Sequence, residues 1–119
     1  MAQKCNIKLD QGSNSSFVFS VRDEGGLVDL TGFTAVMQIR KTPYDLDAVD
    51  TLTTENGRIE IDTEFAVMAL KFPCWLTEKY PAIPLIYDIE IESEGGEITR
   101  ILEGALTVDR EITRIRCER

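Results

Sequence analysis

Ile86-Tyr87-Asp88-Ile89-Glu90-Ile91-Glu92, a turn at Ser93-Glu94-Gly95-Gly96, and Glu97-Ile98-Thr99-Arg100-Ile101-Leu102-Glu103-Gly104-Ala105-Leu106-Thr107-Val108 read as one long β-hairpin. Leu85, Tyr87, Ile89 and Ile91 fall on one side of its first strand, with Asp88, Glu90 and Glu92 on the other. That alternation is the period-2 mark of a half-buried strand. Gly95 and Gly96 suit the positive-φ positions of a two-residue turn. With them at its centre, Leu85 faces Leu106, Tyr87 faces Gly104, Ile89 faces Leu102 and Ile91 faces Arg100. The apolar faces then coincide, as register demands when one side is buried. Gly104 leaves room for the Tyr87 ring. Asp88 falls opposite Glu103, a like-charge pair that costs stability unless a nearby arginine relieves it. A four-residue turn removes that clash but sets Arg100 against Ile89, which is worse for a core.

Working outward, residues 4–10 alternate as a first strand and residues 15–22 as a second, with Phe17, Phe19 and Val21 on one face. Asp23-Glu24-Gly25-Gly26 repeats the turn chemistry seen near residue 95. Residues 27–30 are short and extended. Residues 33–41 form the next strand, with Phe33, Ala35, Met37 and Ile39 together and Val36 the exception, expected under a loop. Asn56-Gly57 predicts a type I′ hairpin that pairs Glu55 with Arg58, Thr54 with Ile59 and Leu52 with Ile61. Residues 65–72 follow, with Ala66, Met68, Leu70 and Phe72 on the richer face. A short helix is the alternative there, because Ala, Met and Leu are good helix formers. Residues 73–84 carry three prolines and read as a crossover, with one helical turn over residues 75–79.

Turn signals every eight to twelve residues between short alternating strands are the spacing of an all-β sandwich or barrel. At 119 residues the chain holds one domain with a core large enough to need no staples. We expect the sandwich over residues 4–108 and a C-terminal arm over 109–119. With 21 acidic and 13 basic residues the net charge is −8, which argues against nucleic acid or an anionic membrane as partner. No apolar run is long enough to cross a membrane, and the first residues lack an apolar signal core. Cys5, Cys74 and Cys117 are odd in number and widely spaced, so they read as free thiols in a reducing compartment, with a Cys5–Cys117 bridge between the terminal segments as the alternative.

The chain has no histidine, which removes histidine-based triads and histidine metal sites. No glycine-rich phosphate loop and no zinc spacing is present. Asp88, Glu90 and Glu92 read as a solvated sheet face. Asp45, Asp47 and Asp50 lack the spacing of a calcium loop. No catalytic residue, cofactor or metal ligand is therefore expected. Tyr44, Trp75 and Tyr80 lie outside the clear strands and allow two readings, a sugar-stacking platform or a plug at one end of the sandwich. The tail carries Arg110, Arg114, Arg116 and Arg119 against three acids. Arg110, Ile112, Arg114, Ile115 and Arg116 are the candidate partner-binding residues, on an arm that would dock on an acidic neighbour.

Several segments, in order, resemble small virion proteins of tailed bacteriophages, in particular the N-terminal domain of baseplate upper proteins and related tail or neck components. They are Ile7-Lys8-Leu9-Asp10-Gln11-Gly12, Phe17-Val18-Phe19 with Asp23-Glu24-Gly25-Gly26, and Asp29-Leu30-Thr31-Gly32 with Ala35-Val36-Met37-Gln38-Ile39-Arg40. Gly57-Arg58-Ile59-Glu60-Ile61, Tyr87-Asp88-Ile89-Glu90-Ile91 and Arg100-Ile101-Leu102-Glu103-Gly104 complete the series. The resemblance implies an immunoglobulin-like antiparallel β-sandwich of seven to nine strands. It further implies a non-enzymatic structural or adaptor role in a phage particle assembled in the bacterial cytoplasm. The partners would be other virion proteins and copies of the chain itself, as a homo-oligomer. The competing reading is a carbohydrate-binding adhesion module.

Overall fold

The computed structural model describes residues 2–113. Its strands are β1 (Gln3–Lys4), β2 (Ile7–Asp10), β3 (Ser15–Ser20), β4 (Arg22–Asp23), β5 (Gly26–Leu27), β6 (Thr34–Arg40), β7 (Asp50–Thr53), β8 (Ile59–Asp62), β9 (Val67–Phe72), β10 (Leu85–Glu92) and β11 (Ile98–Asp109). Three of these are two-residue strands, which leaves eight substantial ones. One short helix, α1 (Cys74–Thr77), sits in the crossover from β9 to β10.

The larger sheet runs β1-β11-β10-β6-β7, with β2 also on β11, and the smaller runs β3-β9-β8. This division of strands between two faces is that of an immunoglobulin-like sandwich. β1 and β2 pair with β11 in parallel, whereas the other pairings among the described residues are antiparallel. The core lies between the sheets. Leu85, Tyr87, Ile89 and Ile91 of β10 meet Ala35, Met37 and Ile39 of β6 and Leu52 of β7 on one side, and Met68, Leu70, Phe72 and Ile59 supply the other. Each large aliphatic side chain so buried contributes about 1.5–3 kcal/mol.

The hairpin of residues 86–108 keeps its expected register only as far as Ile89. Leu85 pairs with Leu106, Tyr87 with Gly104, Asp88 with Glu103 and Ile89 with Leu102, after which a bulge shifts the pairing to Glu90 with Arg100 and Ile91 with Thr99. The turn is longer than two residues. Ser93 donates to the Glu97 carbonyl at 3.0 Å and Gly96 to the Ser93 carbonyl at 3.0 Å. Gly96 alone of the two glycines takes positive φ, +87°. This is a three-residue loop closed by a glycine bulge. The longer loop puts the two strands out of step, and the extra residue at Ile101 restores the pairing of the apolar faces. It also turns Arg100 from the core face to the outer face. There its Nε lies 3.2 Å from Asp88 Oδ2 and its Nη1 3.7 Å from Glu103 Oε2, which answers the like-charge pair.

Gly104 serves the N-terminal strand and not the tyrosine ring. A Cβ at Gly104 would fall 2.0 Å from the Cys5 carbonyl oxygen. The segment between β1 and β2 crosses the backbone here, and the Tyr87 hydroxyl donates to that carbonyl at 2.6 Å. The Asn6 side chain accepts from Ala105 N–H at 3.1 Å.

Asn56-Gly57 does not close a hairpin. β7 belongs to the larger sheet and β8 to the smaller, so the dipeptide turns the chain from one sheet to the other. The Asn56 amide accepts from Thr53 N–H at 3.0 Å and from Arg58 N–H at 3.0 Å and donates to the Thr51 carbonyl at 3.1 Å. A side chain that satisfies the neighbouring backbone in this way competes with the ladder of a tight hairpin. Residues 67–72 are strand and not helix, with Met68, Leu70 and Phe72 buried, because pairing with β3 and β8 outweighs helical propensity. Val36 stays exposed on the outer face.

Candidate interaction site

The two main sheets have four edges, one of them shared by β1 and β2, and three of the four are shielded. β7 is covered by the Asn56 side chain, which occupies Thr51 and Thr53. β1 and β2 present Lys4, Lys8 and Asp10 as exposed side chains, with Lys8 paired to Asp109 at 3.0 Å. β8 presents Glu60 and Asp62, with Glu60 paired to Lys71. Charged side chains and local caps are the usual means of blunting an edge. β3 has neither. Residues 13–21 carry no charge, and among the described residues β3 pairs with β9 alone.

The hydrogen-bond phase of β3 follows from its end. Val21 N–H donates to the Ala66 carbonyl at 2.8 Å, in line with the pairing of Phe19 with Met68 and Phe17 with Leu70. In an antiparallel ladder alternate residues bond to the same neighbour. Phe19, Phe17 and Ser15 therefore address β9, while the backbone groups of Ser16, Val18 and Ser20 point to the open side. Val18 is 59% exposed. Phe17 and Phe19 are half-buried, with ring centroids 6.2 Å apart. Beside the end of the strand a cleft of about 330 Å³ opens between the sheets, walled by Phe19, Val21, Val28, Phe33, Ile101 and Leu102. Arg22, Asp23 and Arg100 line the same cleft, so its wall is mixed apolar and charged. An unpaired strand beside such a cleft can accept an added strand, with backbone bonds giving affinity and the cleft selecting side chains.

Two polar clusters lie elsewhere. On the outer face of the larger sheet a concavity of about 580 Å³ holds Arg40, Asp88, Arg100 and Glu103; Arg100 pairs with both acids as described, and Arg40 donates to the Asp45 carbonyl at 2.8 Å and the Gln38 side chain at 2.6 Å. The second cluster is buried. Arg58 reaches Asp50 through both guanidinium nitrogens, at 3.2 and 2.8 Å, and donates from Nε to the Lys71 carbonyl at 2.9 Å. The Asp50 and Arg58 side chains are 13% and 12% exposed. The Tyr80 hydroxyl donates to the same carboxylate. Burial, and then the Asp50 carboxylate, push the Tyr80 phenol well above its ordinary range. Burial opposes the charge on Arg58, but Asp50 outweighs it and the pKa is raised. Both oxygens of Asp50 are taken and the tyrosine is held protonated, so the cluster ties β7, the start of β8 and the crossover together.

The residues picked out from the sequence are scattered. Arg110 and Ile112 are exposed, Ile112 at 92%, and Arg114, Ile115 and Arg116 lie outside the described residues. Tyr44 is 90% exposed, but Tyr80 is only 3% exposed and belongs to the core, so the three aromatic residues do not share a sugar platform. Among the described residues no group of three or more cysteine, aspartate or glutamate side chains is placed to hold a metal ion; Asp50, apart from Asp45 and Asp47, is engaged with Arg58. The reading of three free thiols is corrected as well: Cys5 is free, Cys74 is disulfide-bonded, and Cys117 lies outside the described residues. The β3 edge had a signal in the sequence, its uncharged run, but that run marks an edge only once β1 and β2 are known to pair elsewhere.

No family model and no curated protein matches the sequence. Among solved structures the chain is similar to CopC from Methylosinus trichosporium OB3b, with a TM-score of 0.48 and 10% identity, over 92% of this chain and 89% of that one. That match does not fit a structural role in a phage particle, and no other comparison supplies one. The expectation of a phage virion protein is corrected accordingly.

Proposed function

We propose that this chain is a non-enzymatic protein-binding domain that takes an extended segment of a protein partner as an added strand on β3. The observation that carries this reading is the contrast among the edges. Three are capped or charged, while β3 offers the open backbone groups of Ser16, Val18 and Ser20 along an uncharged run. Unblunted edges invite pairing, and the adjoining cleft, with both apolar and charged walls, can select side chains at alternate positions. The net charge of −8 keeps such a domain soluble and disfavours polyanionic ligands.

Panning displayed decapeptides on the immobilised full chain tests this. The enriched peptides should alternate apolar and polar residues. Their affinity should fall by roughly tenfold or more on Val18→Lys, the equivalent of about 1.4 kcal/mol, and stay unchanged on Val36→Lys, which alters the outer face of the other sheet. Enriched peptides that bind Val18→Lys as tightly as the parent chain refute the reading.

A further inference from the structure

Residues 16–20 read Ser16-Phe17-Val18-Phe19-Ser20, the same in both directions. We infer that the segment β3 accepts is β3 of a second copy, the two strands running antiparallel about a two-fold axis through Val18. This rests on the reading of β3 as a docking edge and names its occupant.

With Val18 opposite Val18 of the second copy, Ser16 faces Ser20 of the other chain on both sides of the axis. The residues whose backbone groups point outward are Ser16, Val18 and Ser20, so all three pairs on the axis bond. An antiparallel ladder of three such pairs makes about six N–H···O=C bonds. A register one residue away would set outward-pointing groups against inward-pointing ones. Side chains agree with the backbone. Phe17 of each copy faces Phe19 of the other, which extends the Phe17–Phe19 contact, 6.2 Å between centroids, into a two-by-two patch of rings. On the opposite face Val18, 59% exposed in the single chain, packs against its own copy between serines.

Local charge does not oppose the pairing, although each copy carries a net charge of −8. The body of the chain is acidic, and like charges directly opposite one another destabilise a strand pair. The run from 13 to 21 is neutral, and in this register Arg22 of one chain lies opposite Asn14 of the other. No acidic residue meets another across the axis. An isologous contact of this kind closes on itself as a dimer and joins the two three-stranded sheets into one of six strands.

Cysteine placement on the full chain reads the register. Val18→Cys should cross-link to itself under mild oxidation. Ser16→Cys alone should not, but should cross-link when mixed with Ser20→Cys, peptide mapping separating these bonds from those of the native cysteines. Sedimentation velocity of the unmodified chain should show a concentration-dependent dimer, weakened roughly tenfold or more by Val18→Lys. A dimer that Val18→Lys leaves intact, or Val18→Cys that cross-links no faster than Ser16→Cys, overturns the inference. A chain that stays monomeric yet binds the selected decapeptides on β3 overturns self-pairing and leaves the docking edge standing. A chain that does neither overturns both.

Discussion

Gly104→Ala isolates how the N-terminal strand is fastened to the sheet. The added methyl would lie 2.0 Å from the Cys5 carbonyl oxygen and 2.8 Å from its carbon. Both are backbone atoms and neither can rotate away, so the segment between β1 and β2 must lift. Lifting it breaks the Tyr87 hydroxyl bond to Cys5 at 2.6 Å and the Cys5 N–H bond to Glu103 at 2.8 Å. Overpacking of this kind costs about 1–3 kcal/mol, and each lost hydrogen bond about 0.5–1.5 kcal/mol. We expect a net loss of about 2–6 kcal/mol. With a urea m-value of about 1.5 kcal/mol/M, a loss of 3 kcal/mol moves the midpoint down by about 2 M. Amide hydrogen exchange should show the loss concentrated at Cys5 and in β2. Gly95→Ala is the control, because its Cβ meets only Ser93 Oγ at 3.8 Å and its φ is not positive; surface changes of that sort stay within about 0.5 kcal/mol. A Gly104→Ala chain within 0.5 kcal/mol of the parent by that same measure, with Cys5 still protected, refutes the account of this glycine.

Two further perturbations probe the buried cluster. Arg58→Met leaves the Asp50 carboxylate buried without its cation and should cost about 3–5 kcal/mol in urea unfolding, while the double variant with Asp50→Leu should recover more than half of that; equal losses in the single and double variants would contradict the pairing. Alkaline pH should act through Tyr80, whose folded pKa is raised by burial and by Asp50. Its contribution is full below the unfolded value of about 10 and fades above it, by about 1.4 kcal/mol per pH unit, until the folded phenol itself ionises. Urea midpoints from pH 8 to 11 should therefore fall more steeply for the parent than for Tyr80→Phe, and identical slopes would contradict the assignment.

Alternation along β10 and β6 made the sandwich legible, because a strand with one buried face writes its orientation into every second residue. What alternation does not encode is the count of residues in a turn. Gly95-Gly96 marks the turn near residue 95, but loop length and the bulge at Ile101 compensate one another, and only Arg100 on an apolar register hinted at the discrepancy. Asn56-Gly57 carries a hairpin signal that the structure uses for a passage between sheets, since the asparagine side chain bonds backbone groups a hairpin ladder would have claimed. The Asp50–Arg58–Tyr80 cluster joins residues 8 and 30 positions apart with no local spacing to announce it. The open edge was half legible: its neutral run stands in the sequence, but its exposure depends on which sheet the first strands join.

That choice also orders the folding of the chain. Asn6 meets Ala105 across 99 positions, and β1 and β2 pair with β11 and nothing else among the described residues. Closing so long a loop costs entropy that only the finished contact repays, and such non-local pairing slows folding. During synthesis the first strands emerge before the strand that will hold them exists. The beginning of the chain can be captured only once β11 has emerged, so a ribosome-bound fragment ending before residue 98 is expected to keep its N-terminal segment accessible to protease.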